Sequence, residues 1–179
     1  WRRAGGLGAL SKGGTPRRGV ADTAGRPTIA AMLSWMLDRA GQDPTVINGA
    51  DMLNYVTSDT PFAAARVGAA NLFVAEVDES DGTIALYDPT IAVVSNVSLD
   101  HKSMEELRVL FGRFLAAGKR AVANFDDVES RFLAENVQGV IGFGIENPGA
   151  RIGVEPGTVH ETADSISAVV VDRETETAH

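Results

Sequence analysis

Short apolar runs alternate with helical patterns along this chain, and this alternation constrains the fold more than any other feature. The runs at residues 72–76 and 90–94 are apolar almost throughout, which predicts strands covered on both faces of a sheet. A helix is predicted over 103–117, with Ser103 and Glu106 at the spacing of a capping box and Gly118 after its end. The pattern predicts an α/β fold with a mainly parallel sheet and flanking helices.

The remaining elements complete this pattern. Strands are predicted at 18–21, 45–47, 120–123 and 139–143, and helices at 27–40 and 127–135. After Pro148 the helical period disappears, and residues 151–154 and 167–171 are typical of strands that pair antiparallel. Residues 48–66 are expected to be irregular.

The sequence predicts one domain with two less structured ends. Residues 1–17, rich in Gly and Arg, are expected to be a linker or the remnant of a preceding domain. Residues 18–172 are expected to form the domain, and 173–179 a frayed tail.

Composition excludes several classes of function. The 179 residues contain no cysteine, so disulfides, thiolate metal sites and cysteine nucleophiles are impossible. The formal net charge of −8 argues against nucleic acid or an anionic membrane as partner. The sequence has no apolar run of about 18 residues and no apolar signal-peptide core. A cytoplasmic location is therefore expected.

Three polar segments each follow a predicted strand. They are residues 20–28, the acidic segment 76–81, and 96–101, which ends in Asp100-His101. Each alone also fits a plainer interpretation: a strand–helix turn, a solvated acidic turn or a structural histidine. Carboxyl ends of parallel strands meet at one edge, where ligands bind. Together the segments therefore predict a nucleotide–metal site.

These segments resemble three motifs of the Mur ligase family. The family pattern is Gly-Thr-x-Gly-Lys-Thr/Ser-Thr, then Glu-x-Asp-Glu-Ser-Asp, then Asn-x-x-x-Asp-His. This chain has Asp22-Thr23-Ala24-Gly25-Arg26-Pro27-Thr28, Glu76-Val77-Asp78-Glu79-Ser80-Asp81 and Asn96-Val97-Ser98-Leu99-Asp100-His101. The last two motifs are intact, and the acidic string is similar to that of the UDP-N-acetylmuramate–L-alanine ligase branch. The resemblance covers residues 18–144 and, more weakly, the remainder. It implies a P-loop NTPase-like Mur ligase central domain.

The resemblance also implies a chemistry and a set of site residues. Family members use ATP and Mg²⁺ to activate a carboxylate as an acyl phosphate, which the amine of an amino acid then attacks. The implied partners are UDP-N-acetylmuramate and an amino acid, with L-alanine expected, and residues 48–66 lie where family members approach the muramoyl substrate. The resemblance implies that Glu76 and His101 bind the metal. It also implies three catalytic residues, which are Glu76, His101 and Arg26, the last in place of the family lysine. The implied nucleotide-binding residues are Thr23, Ala24, Gly25, Arg26, Pro27, Thr28 and Asn96.

The phosphate loop departs from the family pattern at three positions. Asp22 replaces Gly, which adds a negative charge and a Cβ where backbone approaches phosphate. Arg26 replaces Lys and keeps the charge without the compact ammonium. Pro27 replaces the residue with the Mg²⁺-binding hydroxyl and also lacks an N–H. These changes predict weak ATP binding.

The main hypothesis is a ligase fragment, since the flanking domains of a complete family member are not matched here. Two alternatives stand beside it. The first alternative is a degenerate, non-catalytic nucleotide-fold module with weak or no ATP binding. The second is a different P-loop phosphotransferase, which the acidic and histidine motifs fit less well.

Overall fold

The computed structural model describes residues 17–21, 26–77, 83–99 and 102–179; for residues 17–21, 26, 83 and 85 it describes the backbone. The helices are α1 (Arg26–Arg39), α2 (Met104–Ala117) and α3 (Val128–Ala134). Short 3-10 turns cover Leu53–Tyr55 and Thr83–Leu86. The strands are β1 (Arg17–Ala21), β2 (Thr45–Ile47), β3 (Ala65–Arg66), β4 (Phe73–Val77), β5 (Ile91–Val94), β6 (Arg120–Asn124), β7 (Ile141–Phe143), β8 (Ile152–Val154), β9 (His160–Glu161), β10 (Ile166–Ser167), β11 (Val170–Asp172) and β12 (Thr177–Ala178).

Most of these strands form one mainly parallel sheet. Its order is β12-β11-β8-β7-β6-β5-β1-β4-β2-β3. All pairs from β8 through β2 are parallel, whereas β3, β11 and β12 pair antiparallel at the two edges. Strands β9 and β10 form a separate hairpin. The α/β class predicted from the continuous apolar runs is confirmed.

The helices cover both faces of the sheet. The chain passes from β1 through α1 to β2 in one direction along the sheet, and from β5 through α2 to β6 in the other. Right-handed crossovers therefore place α1 and α2 on opposite faces. Two separate core clusters agree with this: one joins Val74 of β4 to Leu33 and Leu37 of α1. The other joins β5 to Leu107, Phe111, Phe114 and Leu115 of α2.

Helix α2 begins and ends where its sequence predicts. The Ser103 hydroxyl accepts from the Glu106 N–H at 3.3 Å, and the Glu106 carboxylate accepts from the Ser103 N–H at 3.0 Å. This reciprocal box satisfies two donors that the first turn would otherwise leave without partners. Gly118 follows the helix and lies so near β6 that a Cβ there would be 2.7 Å from the Arg120 carbonyl oxygen.

The end of the chain differs from the prediction of a frayed tail over 173–179. The N–H of His179 donates to the Val170 carbonyl at 2.8 Å, and the N–H of Val170 donates back at 3.1 Å, so β12 pairs with β11. The Arg151 guanidinium also holds Asp172 through two bonds of 3.0 and 2.8 Å. The prediction of fraying is wrong because β12 folds back on the preceding strand β11 as a short hairpin, and β11 in turn pairs with the distant strand β8. The polar composition of the segment does not show this pairing.

Smaller differences concern element bounds. Strand β4 continues to Val77, one residue beyond the predicted end. The strand predicted over 167–171 is two shorter strands, β10 and β11. The segment 48–66, expected to be irregular, contains the 3-10 turn Leu53–Tyr55 and strand β3.

Candidate functional site

The carboxyl ends of β4, β1 and β5 lie side by side in the middle of the sheet. In register, Val20 of β1 lies opposite Glu76 of β4, and Ala21 lies opposite Val94 of β5. The crossovers on the two sides of β1 run in opposite directions along the sheet, so this is a topological switch point. In open α/β sheets, ligands bind in the crevice at such a point.

Glu76 is the acidic residue that the structure describes on β4 at this edge. Val74, two positions earlier, packs in the core beneath α1. Since side chains alternate along a strand, Glu76 belongs to the same face of the sheet as α1. Its half-buried carboxylate lies against Gly49 in the loop after β2.

The loop after β2 and the first turn of α1 enclose a cavity. Asn48 is buried, its N–H donates to the Ala64 carbonyl at 2.9 Å, and its Nδ2 donates to the Ala50 carbonyl at 3.1 Å. Pro27 and Thr28 of α1 form the opposite wall of a cavity of about 290 Å³, closed by residues 50–55. The cavity thus joins the helix terminus that follows β1 to the loop that contacts Glu76.

An aromatic and ionic cluster holds the 3-10 turn that closes this cavity. The Tyr55 ring packs edge-on against Trp35 at 5.6 Å, and the Arg66 guanidinium lies 5.0 Å from the centre of the Tyr55 ring. Burial, followed by the nearby Asp38 charge, raises the pKa of Tyr55. Arg66 also pairs with Asp38 at 3.1 Å and Asp43 at 2.5 Å. These contacts tie the turn to the end of α1 and to β3.

On the other side of β1, the segment after β5 is fixed by the start of α3. Asp127 caps α3 by accepting from the Ser130 N–H at 2.7 Å, and the same oxygen accepts from the Val97 N–H at 3.2 Å. The buried Ser130 hydroxyl donates to the Val94 carbonyl at 3.2 Å. Asn96, half-buried between these contacts, is therefore held close to the end of β5.

Asp126, which the sequence analysis did not single out, organises the next part of the edge. Its carboxylate accepts from the backbone N–H groups of Ile145, Glu146 and Asn147, at 2.5, 3.2 and 2.7 Å. Burial raises the pKa of Asp126, but these three donors outweigh it and hold that pKa below its ordinary value. A groove of about 580 Å³ lies beside it, bordered by Phe132, Pro148 and neighbouring side chains. The signal available in the sequence was the pair of adjacent aspartates, Asp126 and Asp127, shortly after the strand predicted at 120–123.

The structure places several of the predicted site residues and leaves others undescribed. Glu76 is the penultimate residue of β4 and Asn96 lies two residues after the end of β5, so both lie at the same edge of the sheet, beside β1. Pro27 and Thr28 lie in the first turn of α1 and line the cavity, and α1 begins at Arg26. Thr23, Ala24, Gly25 and His101 lie outside the described residues, as do Asp22 and Asp100.

The described residues contain neither a cluster of metal ligands nor a membrane-spanning helix. Within 17–21, 26–77, 83–99 and 102–179, no group of three or more His, Asp or Glu side chains is arranged to hold a metal ion. None of the helices in that part of the chain has the length and apolarity needed to cross a membrane.

Comparison with known proteins agrees with this architecture. The sequence model of the Mur ligase middle domain matches residues 20–178. A UDP-N-acetylmuramate–L-alanine ligase of a Nostoc species is 34% identical over 124 residues, which is 67% of this chain and 24% of the relative. The enzyme of the same name from Clavibacter michiganensis is 37% identical over 139 residues, or 74% of this chain and 28% of the relative.

Solved structures show the same fold at lower sequence identity. A UDP-N-acetylmuramate-alanine ligase from Thermotoga maritima superimposes with a TM-score of 0.78 at 19% identity, covering 98% of this chain and 39% of that one. A UDP-N-acetylmuramate:L-alanyl-gamma-D-glutamyl-meso-diaminopimelate ligase from Neisseria meningitides has a TM-score of 0.74 at 20% identity, covering 95% of this chain and 56% of that one. This chain spans about a quarter of the length of the curated relatives it matches. It belongs to the Mur ligase family and corresponds to the middle domain of those enzymes.

Proposed function

We propose that this chain is the nucleotide-handling domain of an ATP-dependent ligase that acts in the cytoplasm during peptidoglycan synthesis. The proposed reaction joins an amino acid, L-alanine, to UDP-N-acetylmuramate, as the names of the curated relatives suggest. The acyl phosphate intermediate is implied by the motif resemblance. The observation that carries the proposal is the placement of Glu76 and Asn96 on the two sides of β1, in a chain of this family.

The described residues fit a nucleotide and a magnesium ion at this edge. Glu76 offers carboxylate oxygens, the ligand type that Mg²⁺ prefers, and Gly49 keeps the space beside that carboxylate clear of a side chain. Helix α1 begins just after β1, and helix N-termini favour phosphate. A structural neighbour from Thermotoga maritima, with a TM-score of 0.70, is described in complex with ADP.

In this proposal Glu76 and His101 hold Mg²⁺, and Arg26 takes the place of the family lysine. Residues 23–28 and Asn96 would contact the nucleotide. Bound ATP would supply the phosphoryl group that activates the substrate carboxylate, and Mg²⁺ would neutralise charge on its phosphates. The residues of this chain would orient the phosphates and hold the metal against Glu76.

The substitutions in the phosphate loop are the reason to expect that ATP binds weakly. Pro27 is accommodated in the first turn of α1, where its missing N–H costs the helix nothing. It cannot, however, donate an N–H to phosphate or offer a hydroxyl to a metal. Charge-assisted hydrogen bonds contribute about 1.5–3 kcal/mol each, so losing the hydroxyl, one N–H and the lysine geometry should lower the affinity by several powers of ten. Asp22 adds charge repulsion. The second candidate, a non-catalytic module, rests on these same substitutions.

Titration calorimetry with ATP–Mg²⁺ tests the proposal directly. We compare the unmodified chain with the triple variant Asp22→Gly, Arg26→Lys and Pro27→Thr, and with the triple variant carrying Glu76→Gln. We expect weak binding by the unmodified chain, a gain of about tenfold or more in the triple variant, and a loss of that gain with Glu76→Gln. Micromolar binding by the unmodified chain would show that its loop is not damaged. Binding by neither chain would refute nucleotide handling and support the non-catalytic module.

A further inference from the structure

Gly49 and Glu76 approach each other closely at the candidate site. A Cβ built on Gly49 would lie 2.8 Å from both Cδ and Oε1 of Glu76, and closer still to Oε2. Real Cβ atoms essentially never come within 3.0 Å of another heavy atom, so any side chain at position 49 must displace something. Glycine at this position therefore allows the backbone to approach the carboxylate closely, and it is not needed here for a left-handed turn.

The backbone around Gly49 is fixed on both sides. Before it, β2 pairs in parallel with β4, and Ile47 lies opposite Ala75. The N–H of the buried Asn48 donates to the Ala64 carbonyl at 2.9 Å, and the N–H of Met52 donates to the Ala63 carbonyl at 3.1 Å. Moving the loop would break these bonds, each with a net contribution of about 1 kcal/mol.

The Glu76 carboxylate, by contrast, is the far end of a flexible side chain. Its terminal torsion has broad, shallow preferences, whereas the backbone of the loop is held in one conformation by its hydrogen bonds. A methyl group at position 49 should therefore push the carboxylate aside and leave the loop in place. The position of this carboxylate depends on the absence of a side chain at residue 49.

We propose that Gly49 is a positioning residue that fixes the Glu76 carboxylate at the carboxyl edge of the sheet, and so sets the affinity of that edge for a divalent cation. The cation part of this proposal rests on the proposed function. Gly49 contacts neither substrate nor cation and acts only through Glu76. The loop that carries Gly49 also lines the cavity beside α1. The same loop therefore contacts both the cavity and the Glu76 carboxylate.

A purely structural role for Gly49 makes a different prediction, and a double-mutant cycle separates the two. The variants are Gly49→Ala, Glu76→Asp and the combination of both. Aspartate is one methylene shorter, about 1.5 Å, and withdraws its carboxylate from an alanine at position 49. If Gly49 acts through Glu76, replacing Gly49 should weaken Mn²⁺ binding only when residue 76 is glutamate. If Gly49 only stabilises the loop, replacing it should lower the Mn²⁺ affinity equally whether residue 76 is glutamate or aspartate.

The matched control is Gly112→Ala, which adds the same methyl group in α2. A Cβ there would lie 3.6 Å from Leu133 Cδ2, an ordinary van der Waals contact. Alanine favours the helix interior over glycine by about 1 kcal/mol, so this variant should fold at least as well as the parent. It should leave the environment of Glu76 unchanged.

The first readout is Mn²⁺ binding, followed by the electron paramagnetic resonance signal of free Mn²⁺. We expect Gly49→Ala to weaken binding about fivefold or more when residue 76 is Glu, and less than about twofold when it is Asp. Equal losses in both backgrounds, or no loss in either although Glu76→Gln weakens Mn²⁺ binding, would overturn the proposal. Circular dichroism confirms that each variant is folded. If Gly49→Ala alone unfolds and the double variant folds, the cost of the added methyl group depends on the glutamate, as the proposal expects.

The second readout requires no metal. The ¹³C chemical shift of the Glu76 carboxyl carbon, at a fixed pH of about 7, should change in Gly49→Ala and stay the same in Gly112→Ala. An unchanged shift in Gly49→Ala would overturn the positioning role. If the shift changes but Mn²⁺ affinity proves insensitive to Glu76→Gln, the positioning of Glu76 stands and its metal role in the proposed function fails.

Discussion

The carboxylate of Asp126 connects the end of β6 to the loop after β7, and its replacement by asparagine tests how the edge of the sheet is held. The two short bonds use different oxygens: Oδ2 accepts from Ile145 N–H at 2.5 Å and Oδ1 accepts from Asn147 N–H at 2.7 Å. The Glu146 N–H is shared between both oxygens at 3.2 Å. An asparagine has the same shape but only one acceptor oxygen.

Asparagine must therefore lose one short bond in either orientation of its amide. Its NH₂ group would then face a backbone N–H, donor against donor. Bonds to a charged acceptor contribute about 1.5–3 kcal/mol when protected from water. Asp126 is exposed, so solvent screening lowers the expected loss to about 1–2 kcal/mol of unfolding free energy.

The sign of the pH dependence follows from the pKa of Asp126. The folded protein holds that pKa below the unfolded value of about 3.9. The stability contributed by the charged carboxylate is therefore complete above about pH 4 and is lost as the pH falls through the folded pKa. The difference between the parent and Asp126→Asn should be largest at neutral pH and shrink on acidification.

Urea unfolding and thermal unfolding, both followed by circular dichroism, measure both effects. We expect Asp126→Asn to lower the melting temperature by about 2–8 °C at neutral pH, since about 1 kcal/mol corresponds to about 2–4 °C in a domain of this size. Asp59→Asn, at an exposed aspartate in the 48–66 segment, removes the same charge as a control. The reasoning is refuted if Asp126→Asn matches this control at neutral pH, or if its deficit grows as the pH falls.

Two further predictions concern α2 and the activity of the isolated chain. Ser103→Ala removes the hydroxyl of the capping box and should cost about 1 kcal/mol in urea unfolding, whereas Ser58→Ala at an exposed position should cost little; equal effects would contradict a capping role. The isolated chain should show no ligase turnover, because the reaction needs both reactants held in line and the chain spans 24% of its Nostoc relative. Phosphate release that depends on UDP-N-acetylmuramate and L-alanine would refute this.

Local chemistry let the sequence predict much of the sheet and its helices. The bounds of α2 follow from Ser103, Glu106 and Gly118, which act within one turn of the helix. The apolar runs that became β4 and β5 predicted a parallel sheet, because only strands covered on both faces are apolar throughout. Motif resemblance predicted the family, and the match over residues 20–178 confirmed it. The roles of Glu76, Asn96 and His101 remain proposals.

The tertiary structure decided the contacts between residues that are distant in the chain. The approach of Gly49 to Glu76, the three backbone donors around Asp126 and the pairing of β11 with β8 each join such segments. No local pattern at Gly49 distinguishes it from a turn glycine, and the polar residues 173–179 resemble a free tail. Residue propensity and hydrophobic periodicity predict the structure of a segment from the residues next to it in the chain. Close approach and strand pairing depend on which distant segment packs beside it, and only the folded chain brings the two together.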